Sequence, residues 1–273
     1  MKSSNPLILK LREINSSGRV ALCGYFLAGY DTPKSFYSYV KSLHNIDIME
    51  FGIPSEDPFL DGPDISKAHH HVTKNLGINA EIALTLIGGL RTISQPRFVM
   101  TYTKDGRELE GFIKLCLLNS VHGILAPDIS FDEAKHISII TSSLNIAYVG
   151  FIHTEMSDEL VKNTVEICDI VYLKVSSGAT GQKGELNDSV LFTIKKYITE
   201  LRQLKPTILI AAGIGIQTPE QIQTLTLLDI NMIVVGTSLL QKMDSGVESL
   251  LQYTQTLSDA TIRERDSLIA FDL

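Results

Sequence analysis

The sequence predicts an α/β chain folded as a single parallel (β/α)8 barrel of the TIM type, and three observations carry that reading. Eight short apolar runs rich in β-branched residues alternate with segments of helical period over almost the whole length. Runs such as Ile208-Leu209-Ile210-Ala211 and Ile233-Val234-Val235 are apolar without alternation, as strands covered on both faces are. No linker, low-complexity stretch or repeat divides the 273 residues, so one domain is expected over residues 1–273. A chain of this length can bury roughly 75% of the surface its unfolded form exposes, enough for one full core.

The elements follow in order. Val20–Tyr25 is the first expected strand, and a helix runs from about Pro33 to His44. Asp47–Gly52 is the second strand, followed by helical segments at Ser66–Asn75 and Ala80–Ile93. Phe98–Thr103 is the third, with a helix around Glu108–Asn119. Gly123–Pro127 and Ile146–Gly150 flank a helix at Asp132–Ser142. Asp169–Val175, Thr207–Ala212 and Met232–Gly236 complete the eight strands. Helices near Asp158–Glu166, Ser189–Leu204, Pro219–Leu227 and Ser238–Leu257 fill the remaining gaps. A doubly wound open sheet would call for a glycine fingerprint after the first strand, and Cys23-Gly24-Tyr25-Phe26 is not one. Gly213-Ile214-Gly215 follows a strand, but Thr218 stands where the third glycine of a dinucleotide motif would be.

Composition excludes several classes of function. The net charge is −7, and no basic run interleaves with aromatics, which argues against nucleic acid as a partner. Cys23, Cys116 and Cys168 are widely spaced, match no metal or redox motif, and are expected to pack in the core of a protein in a reducing cytoplasm. No apolar run approaches the ~18 residues of a membrane span. Lys10, Arg12 and Glu13 interrupt the apolar run that a signal peptide needs. The run His69-His70-His71 is expected to be a solvated helix face, because adjacent helical positions point ~100° apart and cannot converge on a metal.

Catalytic groups of such barrels sit at the C-terminal ends of the strands. Glu50 ends an otherwise apolar strand, where partial desolvation would raise its pKa and let it move protons near neutral pH. A buried glutamate paired with Lys or Arg is the alternative. Asp61 lies in a loop stiffened by Pro54, Pro58 and Pro63, more elaborate than a plain connection needs, although Asp before Gly-Pro also starts turns and caps helices. Glycine-bearing ends follow the sixth, seventh and eighth strands: Ser177–Gly181, Gly213-Ile214-Gly215 and Gly236-Thr237. Glycine lets backbone amides approach an anion closely, and phosphate sites of barrels are often built from the loops after strands seven and eight. Tight turns alone would give the same glycines.

Met49-Glu50-Phe51-Gly52-Ile53-Pro54, Asp57-Pro58 and Asp61-Gly62-Pro63, with Tyr25, Ala28-Gly29-Tyr30 and the three glycine loops in matching order, resemble the tryptophan synthase alpha chain family from about Val20 to Leu257. The resemblance implies a barrel with an extra N-terminal helix and a lyase that splits indole-3-glycerol phosphate into indole and glyceraldehyde 3-phosphate. It implies Glu50, Asp61 and Tyr172 as catalytic residues and Gly181, Gly215, Gly236 and Thr237 as phosphate binders. It further implies no metal and no cofactor in this chain, and an α2β2 complex with a beta chain that carries pyridoxal phosphate.

The sequence also departs from the family pattern. Ser55-Glu56 replaces Phe-Ser, Tyr102-Thr103-Lys104 stands for Tyr-x-Asn, and Asp128-Ile129-Ser130 stands for Asp-Leu-Pro. The strand-five end reads Gly150-Phe151-Ile152, Ile214 replaces Phe, and Thr237 replaces Ser. A second reading, a subunit that cleaves poorly and acts mainly by activating the beta chain, follows from these departures.

Overall fold

The computed structural model describes residues 4–106, 109–174, 186–213 and 215–263. Eight parallel strands close into a barrel in sequence order: β1 (Ala21–Leu27), β2 (Ile48–Gly52), β3 (Arg97–Met100), β4 (Gly123–Leu125), β5 (Ala147–His153), β6 (Ile170–Lys174), β7 (Leu209–Ala212) and β8 (Met232–Val235). The eight expected strands are all present, with no end shifted by more than three residues.

Alternation along each strand sorts the core into two layers. Ala21, Cys23 and Tyr25 of β1, Ile48 of β2, Ile170 and Tyr172 of β6 and Met232 and Val234 of β8 belong to the barrel interior. Leu22, Met49, Phe51, Val171, Leu173, Ile233 and Val235 belong to the layer that packs beneath the helices. The three cysteines are free and buried, as expected.

An N-terminal helix, α1 (Pro6–Ser16), precedes the barrel. Asn5 caps it by accepting from the Leu7 and Ile8 amides, while its amide nitrogen donates to the carbonyls of His122 and Asn145 just before β4 and β5. Leu7, Ile8, Leu11 and Ile14 thereby enter the barrel-interior cluster.

The other helices wrap the outside: α2 (Pro33–Ser42), α3 (Pro63–His70), which runs on into a π-helical turn (His71–Asn75), α4 (Ala80–Gly88), α5 (Leu109–Leu118), α6 (Phe131–Ser143), α7 (Asp158–Ile167), α8 (Asp188–Leu204) and α9 (Pro219–Thr226). Local chemistry sets their starts. Thr32, Asn79, Ser157 and Asn187 accept at N-caps, and Ser130 and Thr218 form capping boxes with Glu133 and Gln221. Thr218 is thus a helix cap. The single helix expected over Ser238–Leu257 is two, α10 (Thr237–Met243) and α11 (Val247–Asp259), parted at Gly246, whose φ of +91° belongs to glycine. No helix among the described residues is long and apolar enough to cross a membrane.

Candidate functional site

A cavity opens at the C-terminal end of the barrel, lined by Glu50, Asp61, Tyr172, Lys174, Gly215, Gly236 and Thr237 among others. Six of the seven residues singled out above face it together with apolar walls from Ile65, Met100, Leu125 and Phe151. The seventh, Gly181, with its Ser177–Gly181 loop, lies outside the described residues, as does Ile214.

Glu50 reaches the cavity because it shares the inward parity of Ile48 on β2. Its register neighbours are Tyr25 on β1 and Phe98 on β3. It is 2% exposed, and its Oε2 accepts no hydrogen bond from a described residue. Burial, reinforced by the charge of Asp61, pushes its pKa up to about 8. Glu50 is therefore a carboxylic acid at neutral pH.

Asp61 approaches from the loop after β2. Burial raises its pKa to about 6, against the opposing pull of a Tyr102 hydrogen bond and the Lys174 charge. The Tyr102 hydroxyl donates to Asp61 Oδ2 at 2.8 Å and itself accepts from the Leu60 amide at 3.2 Å. The cavity thus holds one protonated and one ionised carboxyl group near pH 7, the separation that assigns acid and base roles.

His69 corrects the expectation of a solvated histidine face. His70 is exposed and His71 is half-buried, but His69 is fully buried. Its Nδ1 accepts from the Ser55 amide at 2.9 Å, which leaves Nε2 as the protonated nitrogen. That nitrogen lies 3.4 Å from the Tyr25 hydroxyl and 3.7 Å from Asp61 Oδ2. Burial lowers the ring's pKa to about 4, so it stands as a neutral donor between them. Ile65, one helical turn before His69 on α3, lines the cavity. No group of three or more metal-ligating side chains occurs among the described residues.

The loops after β2, β3 and β4 are tied together at and beside these departures. Ser55 is buried on His69, and its hydroxyl accepts from the Asp57 amide. Glu56 pairs with Lys74, and Asp57 pairs with Lys104 at 2.7 Å. Thr103 donates through its amide and hydroxyl to Asp128, two residues before the cap of α6 at Ser130.

The opposite rim is built mainly from backbone. Gly215 has φ +70°, and Gly236 caps α10 with Thr237 as its first residue. Gly213 serves packing: a Cβ there would stand 2.1 Å from the Tyr172 hydroxyl. Tyr172 is in turn packed against Phe151, with ring centroids 6.0 Å apart. Besides His69, reading the sequence missed Tyr102 as the donor to Asp61, and Lys174, which is two residues beyond Tyr172 on the same face of β6.

Comparison with known proteins agrees with this geometry. A sequence model of the family described as "Tryptophan synthase alpha chain" matches residues 11–266. The tryptophan synthase alpha chain of Caldicellulosiruptor saccharolyticus is 27% identical over 251 residues, covering 91% of this chain and 96% of the relative. That of Bacillus pumilus is 30% identical over 216 residues, 78% of each chain. A tryptophan synthase structure from Mycobacterium tuberculosis superposes with a TM-score of 0.85 at 20% identity, covering 97% of this chain and all of that one. A tryptophan synthase complex from Pyrococcus furiosus gives 0.75 at 24% identity, over 88% and 98% of the two chains. Barrel, cavity and the match over almost the whole length together place this chain in the tryptophan synthase alpha chain family.

Proposed function

We propose that this chain is a lyase of tryptophan biosynthesis that cleaves indole-3-glycerol phosphate to indole and glyceraldehyde 3-phosphate. The observation that carries the reading is the pair of buried carboxyl groups in one cavity, Glu50 with a pKa of about 8 and Asp61 with one of about 6. Cleavage needs a proton delivered to indole C3, and protonated Glu50 supplies it. The positive charge that develops on the ring is stabilised by ionised Asp61, which accepts from the indole N–H. Glu50, now a carboxylate, removes the proton of the glycerol C3′ hydroxyl. The carbon–carbon bond then breaks, its electron pair returns to the ring and an aldehyde is left. Tyr172 stands beside Glu50 as a rigid wall that keeps the acid dry.

The substrate phosphate is assigned to the amides around Gly215, Gly236 and Thr237, and the family resemblance adds Gly181, which lies outside the described residues. In this reading the chain uses its own side chains, with neither metal nor cofactor. Its partner is a tryptophan synthase beta chain in an α2β2 complex, where pyridoxal phosphate belongs to the beta chain, and its compartment is the cytoplasm. The test is steady-state indole release from indole-3-glycerol phosphate, with and without a beta chain. Release that the beta chain accelerates is expected; no release under either condition would end the lyase reading.

A further inference from the structure

Lys174 is a feature of the cavity that the proposed lyase does not use. It ends β6, two residues beyond Tyr172, so strand parity turns it inward, one layer nearer the mouth. Its register partner is His153 on β5. The residue is 8% exposed and lines the same cavity as Glu50 and Asp61. No hydrogen bond or ion pair joins its ammonium group to a described residue, so structure alone does not account for a long cationic side chain placed there.

We propose that Lys174 is a nucleophile whose amine condenses with the carbonyl carbon of a small phosphorylated aldehyde or ketone in this cavity to form a Schiff base. This rests on the phosphate-binding half of the function proposed above and goes beyond its lyase chemistry. Such a step requires a neutral amine, an acid for the carbonyl oxygen and a base for the nitrogen. Burial holds the Lys174 amine below its ordinary pKa, although the charges of Asp61 and Glu155 oppose that shift. The nitrogen lone pair forms the C–N bond while the carbonyl oxygen takes the proton of Glu50. Asp61 accepts a proton from the new N–H and returns it to the hydroxyl, which departs as water. The product is a protonated imine on Lys174, a Glu50 carboxylate and one water, with no oxidant or reductant consumed.

The test is borohydride trapping on the full chain. The protein is incubated with glyceraldehyde 3-phosphate or with unphosphorylated glyceraldehyde, reduced with sodium borohydride, digested and mapped by mass spectrometry. Lys174 should be modified at least about tenfold faster than the exposed lysines, with glycerol 3-phosphate suppressing the reaction and glyceraldehyde reacting more slowly. Lys174→Arg keeps the charge and should lose the adduct; Lys174→Met should lose it as well. Modification of Lys174 no faster than the surface lysines, or without protection by glycerol 3-phosphate, overturns the proposal. The wild-type map decides the matter even where a variant fails to fold. Indole release from the same preparation separates the two readings. Release without trapping removes the Schiff base and leaves the lyase, whereas trapping without release does the opposite.

Discussion

The two rims of the cavity are held by different means. On the side of β2 to β4, side chains hold the rim: His69 accepts from the Ser55 amide, Tyr102 donates to Asp61 and accepts from the Leu60 amide, Lys104 pairs with Asp57, and Thr103 donates to Asp128. On the side of β7 and β8, Gly213, Gly215 and Gly236 offer backbone, and Thr237 is the one side chain with a polar atom among these cavity residues. In the proposed reaction, charge changes on the first rim and stays fixed on the second. A group that gains and loses a proton needs neighbours that fix its orientation and its pKa, whereas a permanent anion needs only room and amide dipoles.

Substitutions on each rim should therefore fail differently, and the largest effect belongs to the first. Glu50→Gln should lower indole release by about 10²–10⁴-fold, the usual worth of a positioned proton carrier, with ligand binding retained. Turnover within about tenfold of wild type would remove Glu50 from that role. The same variant should be the more stable protein. In wild type the folded state keeps a proton on Glu50 up to a pKa of about 8, while the unfolded chain loses it near 4.5. The folded state binds more protons in that window, so stability falls as pH rises through it. Glu50→Gln should abolish this fall, gaining on the order of a few kcal/mol at pH 8 and little at pH 4. Thermal melts across pH would show it; parallel curves for both proteins would refute it.

Gly236→Val probes the second rim. A Cβ there meets Tyr25 at 3.5 Å, ordinary contact, so the fold should survive. The branched side chain should nonetheless shield the neighbouring amides and raise KM about tenfold, ~1.4 kcal/mol of phosphate binding, with kcat little changed. A fall in kcat at constant KM would contradict the division between rims. Tyr102→Phe has the smallest expected effect. Its hydroxyl lowers the Asp61 pKa, so its loss should raise that pKa above about 6 and move the acidic limb of the kcat/KM profile to higher pH. At neutral pH the loss should be a few-fold, the worth of one hydrogen bond of about 1 kcal/mol.

The same contrast explains what could be read in the sequence. All eight strands were legible because strands buried on both faces are written as unbroken apolar runs, and Glu50 stood out as the charge inside one of them. Asp61 was marked by its prolines. His69 was not legible as a buried group, since its reason for burial is the Ser55 amide fourteen residues earlier, a tertiary contact with no local pattern. Lys104 and Glu56 read as isolated departures because each answers a partner on another element, Asp57 in the loop after β2 and Lys74 in the turn after α3. Lys174 could have been found: counting by two from Tyr172 puts it on the inner face. The break between α10 and α11 was also written, in Gly246 between two apolar helical patterns.

The N-terminal helix has a consequence for traffic. Leu7, Ile8, Leu11 and Ile14 fill the floor of the barrel, and Asn5 pins that helix to the backbone just ahead of β4 and β5. The barrel is therefore a cup, not a tube. Whatever reacts at Glu50 has to arrive and depart across one lip, so a bulky fragment cannot drain away beneath while its partner fragment leaves above. Release follows depth: a piece seated at Glu50 waits until the piece nearer the mouth has cleared the way or shifted aside. A protein that takes over the deeper fragment directly has a single place to stand, against the lip formed by the loops that follow the strands.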